Sequence, residues 1–189
     1  MLSWVVGGAR SREFEEVALV HLDALHRSAL RLTQNRAEAE DLVQETCLRA
    51  FRSFHRFNPG TNCRAWLLTI LRHAFLNRIR QAGHDVLAGE SAATAPAAVE
   101  AVPAYGNPEE EFFQTVLHGD VDRALNALPL TFREVVMLAD LEGLTYKEIG
   151  QIVGCPIGTV MSRLSRARGL LRQALRRFAG ERDYIKGLE

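Results

Sequence analysis

The chain has 189 residues, 47% of them apolar, with 23 basic and 23 acidic side chains and a formal charge of zero. That length holds one or two small domains with material for a core, and no run approaches the ~20 apolar residues of a membrane span. Three scattered cysteines, Cys47, Cys63 and Cys155, make neither a CxxC metal pair nor a full disulfide set, which points to a reducing compartment and gives no sign of a cofactor.

Zero net charge hides strong segregation. From Arg64 to Gln81 there are four Arg and no acid; from His84 to Glu111 there are six acids and no Lys or Arg; from Thr159 to Arg182 there are seven Arg and one acid, Glu181. Two basic stretches flanking an acidic one suit a polyanion partner that the totals alone would not suggest.

In chain order, residues 1–12 read as a loose leader without the basic flank and apolar core of a signal peptide. Phe14 to Leu32 carries Val17, Leu22, Leu25 and Leu30 among charges, one amphipathic helix or two. Asn35 with Glu38 predicts a cap, followed by a helix from Arg36 to about Phe54. Ala39, Leu42, Val43, Cys47, Ala50 and Phe54 form its core stripe, so Cys47 reads as a packed thiol. Asp41, Gln44, Glu45, Leu48 and Arg52 share the other face, which fits either solvent or a partner.

A turn-rich loop from Phe57 opens a helix over Arg64 to Gln81. Ile70, Leu67, Ala74, Leu71, Phe75 and Ile79 make its apolar arc; Trp66, Thr69, Arg72, His73, Asn77 and Arg80 take the remainder. A basic helix with amide and aromatic groups suits a nucleic-acid backbone and unstacked bases. Trp66 fits a core anchor better than a stacking platform. Lone His73 is a surface histidine or a nucleic-acid contact, with no second metal ligand beside it.

Gly83 to Gly106 is rich in Ala, Pro, Ser and Gly and lacks helical period, the composition of a linker. It is a solvated acidic spacer, or a segment that lies in a basic channel of a partner. Asn107, Pro108 and Glu110 open a helix to about Leu128, Pro129 ends it, and Thr131 with Glu134 predicts the next cap. Phe132, Val135, Val136, Leu138 and Ala139 make that helix a buried one, stopped at Gly143.

Thr145 and Glu148 then spell a capping box, Ile149 and Val153 an apolar edge, Gly154 a tight turn, and Pro156 the first turn of a second helix. Val160, Leu164, Ala167 and Leu171 face inward by their spacing; Thr159, Ser162, Arg163 and Arg166 face outward. This is the pattern of a helix-turn-helix with a basic second helix suited to the major groove. The last helix runs to about Phe178, and the tail after Gly180 should fray.

Together these segments resemble a bacterial sigma factor of the extracytoplasmic-function (group IV, sigma-70 family) kind, over about residues 14–178. Ala39 to Phe51 (AEDLVQETCLRAF) is similar to the helix that docks on the clamp coiled-coil of the polymerase β′ subunit. Phe57 to Asn77 (FNPGTNCRAWLLTILRHAFLN) is similar to the loop and helix that open and read the −10 element. Ala127 to Val136 (ALPLTFREVV), continuing to Arg168, is similar to the domain that binds the −35 element and the β flap.

The resemblance implies an all-α fold: sigma domain 2 over 13–83, an acidic linker over 84–107, sigma domain 4 over 108–180 and a tail over 181–189. It implies Asp41, Gln44, Glu45 and Leu48 as the core polymerase patch. Asn62, His73 and Asn77 become the pocket for a flipped −10 base, with Arg64, Arg72 and Arg80 on the backbone and Trp66 within the same set. Ser162, Ser165 and Arg166 would read the −35 groove, with Thr159, Arg163 and Arg168 on or near the backbone. Two positions depart from the family pattern: His73 stands where Asn is usual, and Met161 where some members have Arg. The linker would thread toward the active-site and RNA-exit path. The implied partners are core RNA polymerase, promoter DNA and an anti-sigma protein, with no catalysis by this chain. The rival reading is a stand-alone helix-turn-helix regulator, which would usually dimerise across two half-sites.

Overall fold

The computed structural model describes residues 8–87 and 119–181. Most of the expected leader, linker, tail and first part of the helix from Asn107 lie outside the described residues. The chain divides near Val99 into two compact units, and every described element is helical.

The N-terminal unit starts with α1, Gly8–Val17. Residues 8–12, expected in a loose leader, are helical; the helix brings Phe14 into the core at ring-centroid distances of 5.3 and 5.2 Å from Phe51 and Phe54. A 3₁₀ turn, Leu19–His21, leads into α2, Leu22–Thr33. Gln34 closes α2 in the left-handed region at φ 56°, and its N–H bonds the Leu30 carbonyl. Asn35 then caps α3, Arg36–Ser53, its side chain accepting from the Glu38 N–H at 3.2 Å. The cap residue and the reversal lie side by side, so α2 and α3 fold back on each other. A second 3₁₀ turn, Phe54–Arg56, and a loop lead to α4, Cys63–Leu87. Helical backbone thus takes in residues 83–87, which composition assigns to the linker.

α2, α3 and α4 pack on one another through Leu25, Leu42, Leu67 and Leu71, all essentially inaccessible. Thr46 is also buried; its hydroxyl bonds the Leu42 carbonyl at 2.7 Å and needs no water. Cys47, expected in the core stripe, is only half-buried. Ile79 also departs from its expected inward place and is 44% exposed. Arg78, one position earlier, occupies the surface against α3 instead, and the helical advance of 100° per residue carries Ile79 away.

In the C-terminal unit the described part of α5 covers 119–126. α6 is Leu130–Val136, with Pro129 at its N-cap and no side-chain cap bond. The expected Thr131–Glu134 cap is not made. The Phe132 and Arg133 N–H groups both close onto the Pro129 carbonyl, so the helix begins two residues before that cap could act. Glu134 is buried. Arg133, 9% exposed, donates to the carbonyls of Asn126 and Leu128, the C-terminal acceptors of α5. Burial lowers its pKa.

α6 widens into a π turn, Met137–Leu141, and ends at Gly143, φ 62°. α7, Tyr146–Val153, carries the full capping box between Thr145 and Glu148. Gly154 closes it at φ 74°, and α8, Ile157–Glu181, follows. Gly150 allows the turn to close: a Cβ there would stand 2.9 Å from the Cys155 carbonyl. α6, α7 and α8 pack around Val135, Ile149, Val160 and Leu164. Thr145→Ala is expected to lower the stability of this unit by about 1 kcal/mol, and Thr145→Ser to restore most of it. Urea unfolding of the full chain tests this; an equal loss in both variants would place the effect outside the cap.

Candidate nucleic-acid and polymerase interfaces

α3 turns Asp41, Gln44 and Leu48 outward on one face, with Leu48 58% exposed. Glu45 sits between that face and α4. Its Oε2 accepts from Arg78 Nε at 3.0 Å and Nη2 at 2.9 Å, while Oε1 meets Arg49 at 2.6 Å. Arg78 also donates to the Glu38 carbonyl. Glu45 is therefore a cross-brace between α3 and α4 as well as a surface carboxylate. Sequence reading missed Arg78, because a partner 33 residues away has no local signature.

On α4, His73 and Arg80 are exposed and Asn77 is half-buried, one helical face at i, i+4 and i+7. Arg64 and Arg72 are half-buried. Arg64 adds to the lowering of the His21 pKa, whose larger cause is burial. Asn62 is exposed at the start of α4, and its Oδ1 accepts from the Ala65 N–H at 3.2 Å, so one end of the amide is held as a cap. Trp66 is half-buried in an aromatic cluster, 5.3 Å from Phe57 and 6.2 Å from Phe54. Its ring packs beside Phe57, the first residue of the loop that leads into α4.

On α8, Ser162, Ser165 and Arg166 are exposed and Thr159 and Arg163 half-buried. The Ser162 hydroxyl donates to the Thr159 carbonyl at 3.0 Å, and Arg163 reaches toward the Cys155 sulfur at 3.9 Å. Arg168 is committed within the unit: Nε and Nη2 pair with the two Asp140 carboxylate oxygens at 3.1 and 2.5 Å. Its pKa is raised, first by the Asp140 hydrogen bond and then by that carboxylate's charge, with Tyr146 adding. This fork ties α8 to the π turn.

The cysteines are free, and burial raises the thiol pKa of Cys47 and of Cys63. Among the described residues no three His, Cys, Asp or Glu side chains gather as a metal site, and no helix is long and apolar enough to cross a membrane.

Comparison with known proteins matches a separate family region to each unit. Residues 19–84 match Sigma-70 region 2, and residues 118–171 match Sigma-70, region 4. The chain is 39% identical to the ECF RNA polymerase sigma factor SigE of Mycolicibacterium smegmatis over 89% of its own length and 63% of that protein's, so it spans under two thirds of that relative. It is 34% identical to the ECF RNA polymerase sigma factor EcfG of Rhodopseudomonas palustris over 90% of this chain and 85% of that one. The chain belongs to the ECF RNA polymerase sigma factors. Among solved structures, the sigma factor RpoE of Bartonella quintana in complex with the anti-sigma factor NepR is similar, with a TM-score of 0.74 and 33% identity, covering 87% of this sigma factor and 98% of that chain. The N-terminal unit carries region 2 and the C-terminal unit region 4.

Proposed function

We propose that this sigma factor binds core RNA polymerase and directs it to promoters, itself making and breaking no covalent bond. The observation that carries the reading is the ordered pair of region 2 and region 4 in one chain. Region 2 docks on the polymerase clamp through Asp41, Gln44 and Leu48, with Glu45 bracing the helix behind them. His73 and Asn77, with Asn62 at the head of the same helix, take an unpaired −10 base. Binding offsets the unstacking cost, a few kcal/mol per base. Trp66 supports the capturing loop, and Arg64, Arg72 and Arg80 attract the phosphates of the DNA strand.

Region 4 reads the −35 element through Ser162, Ser165 and Arg166, with Thr159 and Arg163 near the backbone. Arg168 acts through Asp140, as a positioning residue that holds α8. The chain works in the cytoplasm, where polymerase is, and the Bartonella relative's complex supports an anti-sigma protein as a further partner.

The test is transcription in vitro with purified chain, core polymerase and a pool of genomic fragments. Discrete start sites that need the chain and share two upstream elements are the expected result. No added starts, with duplex binding by the chain alone, would turn the reading to a stand-alone regulator. Arg166→Ala is expected to weaken −35 binding by ~1–3 kcal/mol if the guanidinium pairs with a guanine. Unchanged affinity of the holoenzyme for its promoter would remove that role.

A further inference from the structure

We infer that Met161 selects a thymine in the −35 element by packing on its 5-methyl group, an inference that rests on the proposed function of region 4. Met161 is 54% exposed, an apolar side chain on the arc of α8 that otherwise presents Ser162, Ser165 and Arg166. It forms one wall of a shallow groove of about 270 Å³, whose other walls include Tyr146, Leu164, Ser165 and Arg168.

The groove is built from fixed parts. Leu164 is 2% exposed and belongs to the core. Arg168 is forked onto Asp140 and linked to Tyr146, so neither wall needs to reorganise when a ligand arrives. Met161 is the adaptable member, an unbranched thioether that can follow a small apolar surface.

Charge decides what that surface belongs to. Arg168 and Arg172 line the groove, and Ser165 belongs both to it and to the face proposed to enter the major groove. Such a rim favours a phosphate-bearing partner over an apolar protein segment. Along the major-groove edges of the four bases, the thymine methyl is the apolar group an aliphatic side chain can read. An arginine at position 161 would instead pair with guanine, so the side chain at this position sets the base.

The experiment uses full-length chain with core polymerase. Promoters are selected from a random pool, and each thymine of the selected −35 element is replaced singly by deoxyuridine, which removes only the methyl. At one position the wild-type holoenzyme should lose about fourfold in affinity, the worth of one buried methyl-sized group. Met161→Ala, at an exposed position that tolerates the best helix former, should be indifferent to the same replacement. Met161→Arg should move the selected base at that position toward guanine. A −35 element without a methyl-sensitive thymine, or an undiminished methyl effect in Met161→Ala, overturns the inference and leaves the sigma reading standing. Selection that yields no promoter elements at all removes both.

Discussion

Leu71→Ala is expected to destabilise region 2 by ~2–5 kcal/mol. Leu71 is 1% exposed in α4, among α2 and α3, with Leu25, Leu42 and Leu67 equally hidden. Truncation removes methyl groups from water-free contact and leaves a cavity that packed helices fill only in part. Whole domains are stable by ~5–15 kcal/mol, and a unit this small sits toward the low end. The consequence reaches both proposed surfaces of the unit, because Asp41 to Leu48 lie on α3 and His73 to Arg80 on α4. Core binding and −10 recognition should fall together. Trp66 lies in the aromatic cluster of this unit and the C-terminal unit has no tryptophan, so the change in emission during urea unfolding reports region 2. Leu71→Met, close in volume, should cost less than ~1.5 kcal/mol. An unchanged midpoint for the alanine variant would mean that the packing around Leu71 is not what holds the unit.

Leu48→Asp is expected to weaken core polymerase binding by about thirtyfold or more, the loss of a central apolar anchor worth ~2 kcal/mol. The side chain is 58% exposed and flanked by the polar groups of Asp41 and Gln44, so its replacement should change folding stability by no more than ~0.5 kcal/mol. The two readouts separate: affinity for core falls while the unfolding curve stays in place. Competition with another sigma factor for core, measured by transcription from the competitor's promoter, gives the affinity. Wild-type competition by Leu48→Asp would remove this face from the polymerase interface. Glu45 is a poorer probe of the same surface. Its removal would also release Arg78 from Glu45 and disturb α4, the helix proposed to contact the −10 element.

The helices and their joints were legible because their signals are local. Asn35 with Glu38, Thr145 with Glu148, and Gly154 each act within one helical turn, and the structure bears them out at the atoms expected. The inward stripe of Val160, Leu164 and Ala167 is equally local, with Leu171 of the same stripe only half-buried, since a 3.6-residue period assigns a face without knowing what covers it. The Thr131 cap failed for a related reason. Pro129, read in the sequence as the end of the preceding helix, became the N-cap instead, and its carbonyl captured the first helical N–H groups.

Periodicity, capping and charge runs within some tens of residues specify helices throughout, a helix-turn-helix and two basic stretches, and the family is legible as a resemblance of three segments. Which charges remain available depends instead on how the helices pack. Arg78 and Arg168 look alike in a basic helix, yet each is forked onto an acid 33 or 28 residues away, Glu45 in one unit and Asp140 in the other. Tertiary packing likewise placed Trp66 against Phe57 and left Met161 open beside Tyr146. Pairing across such distances depends on how helices cross, and the crossing is set by the sum of core contacts, which no single stretch of sequence contains.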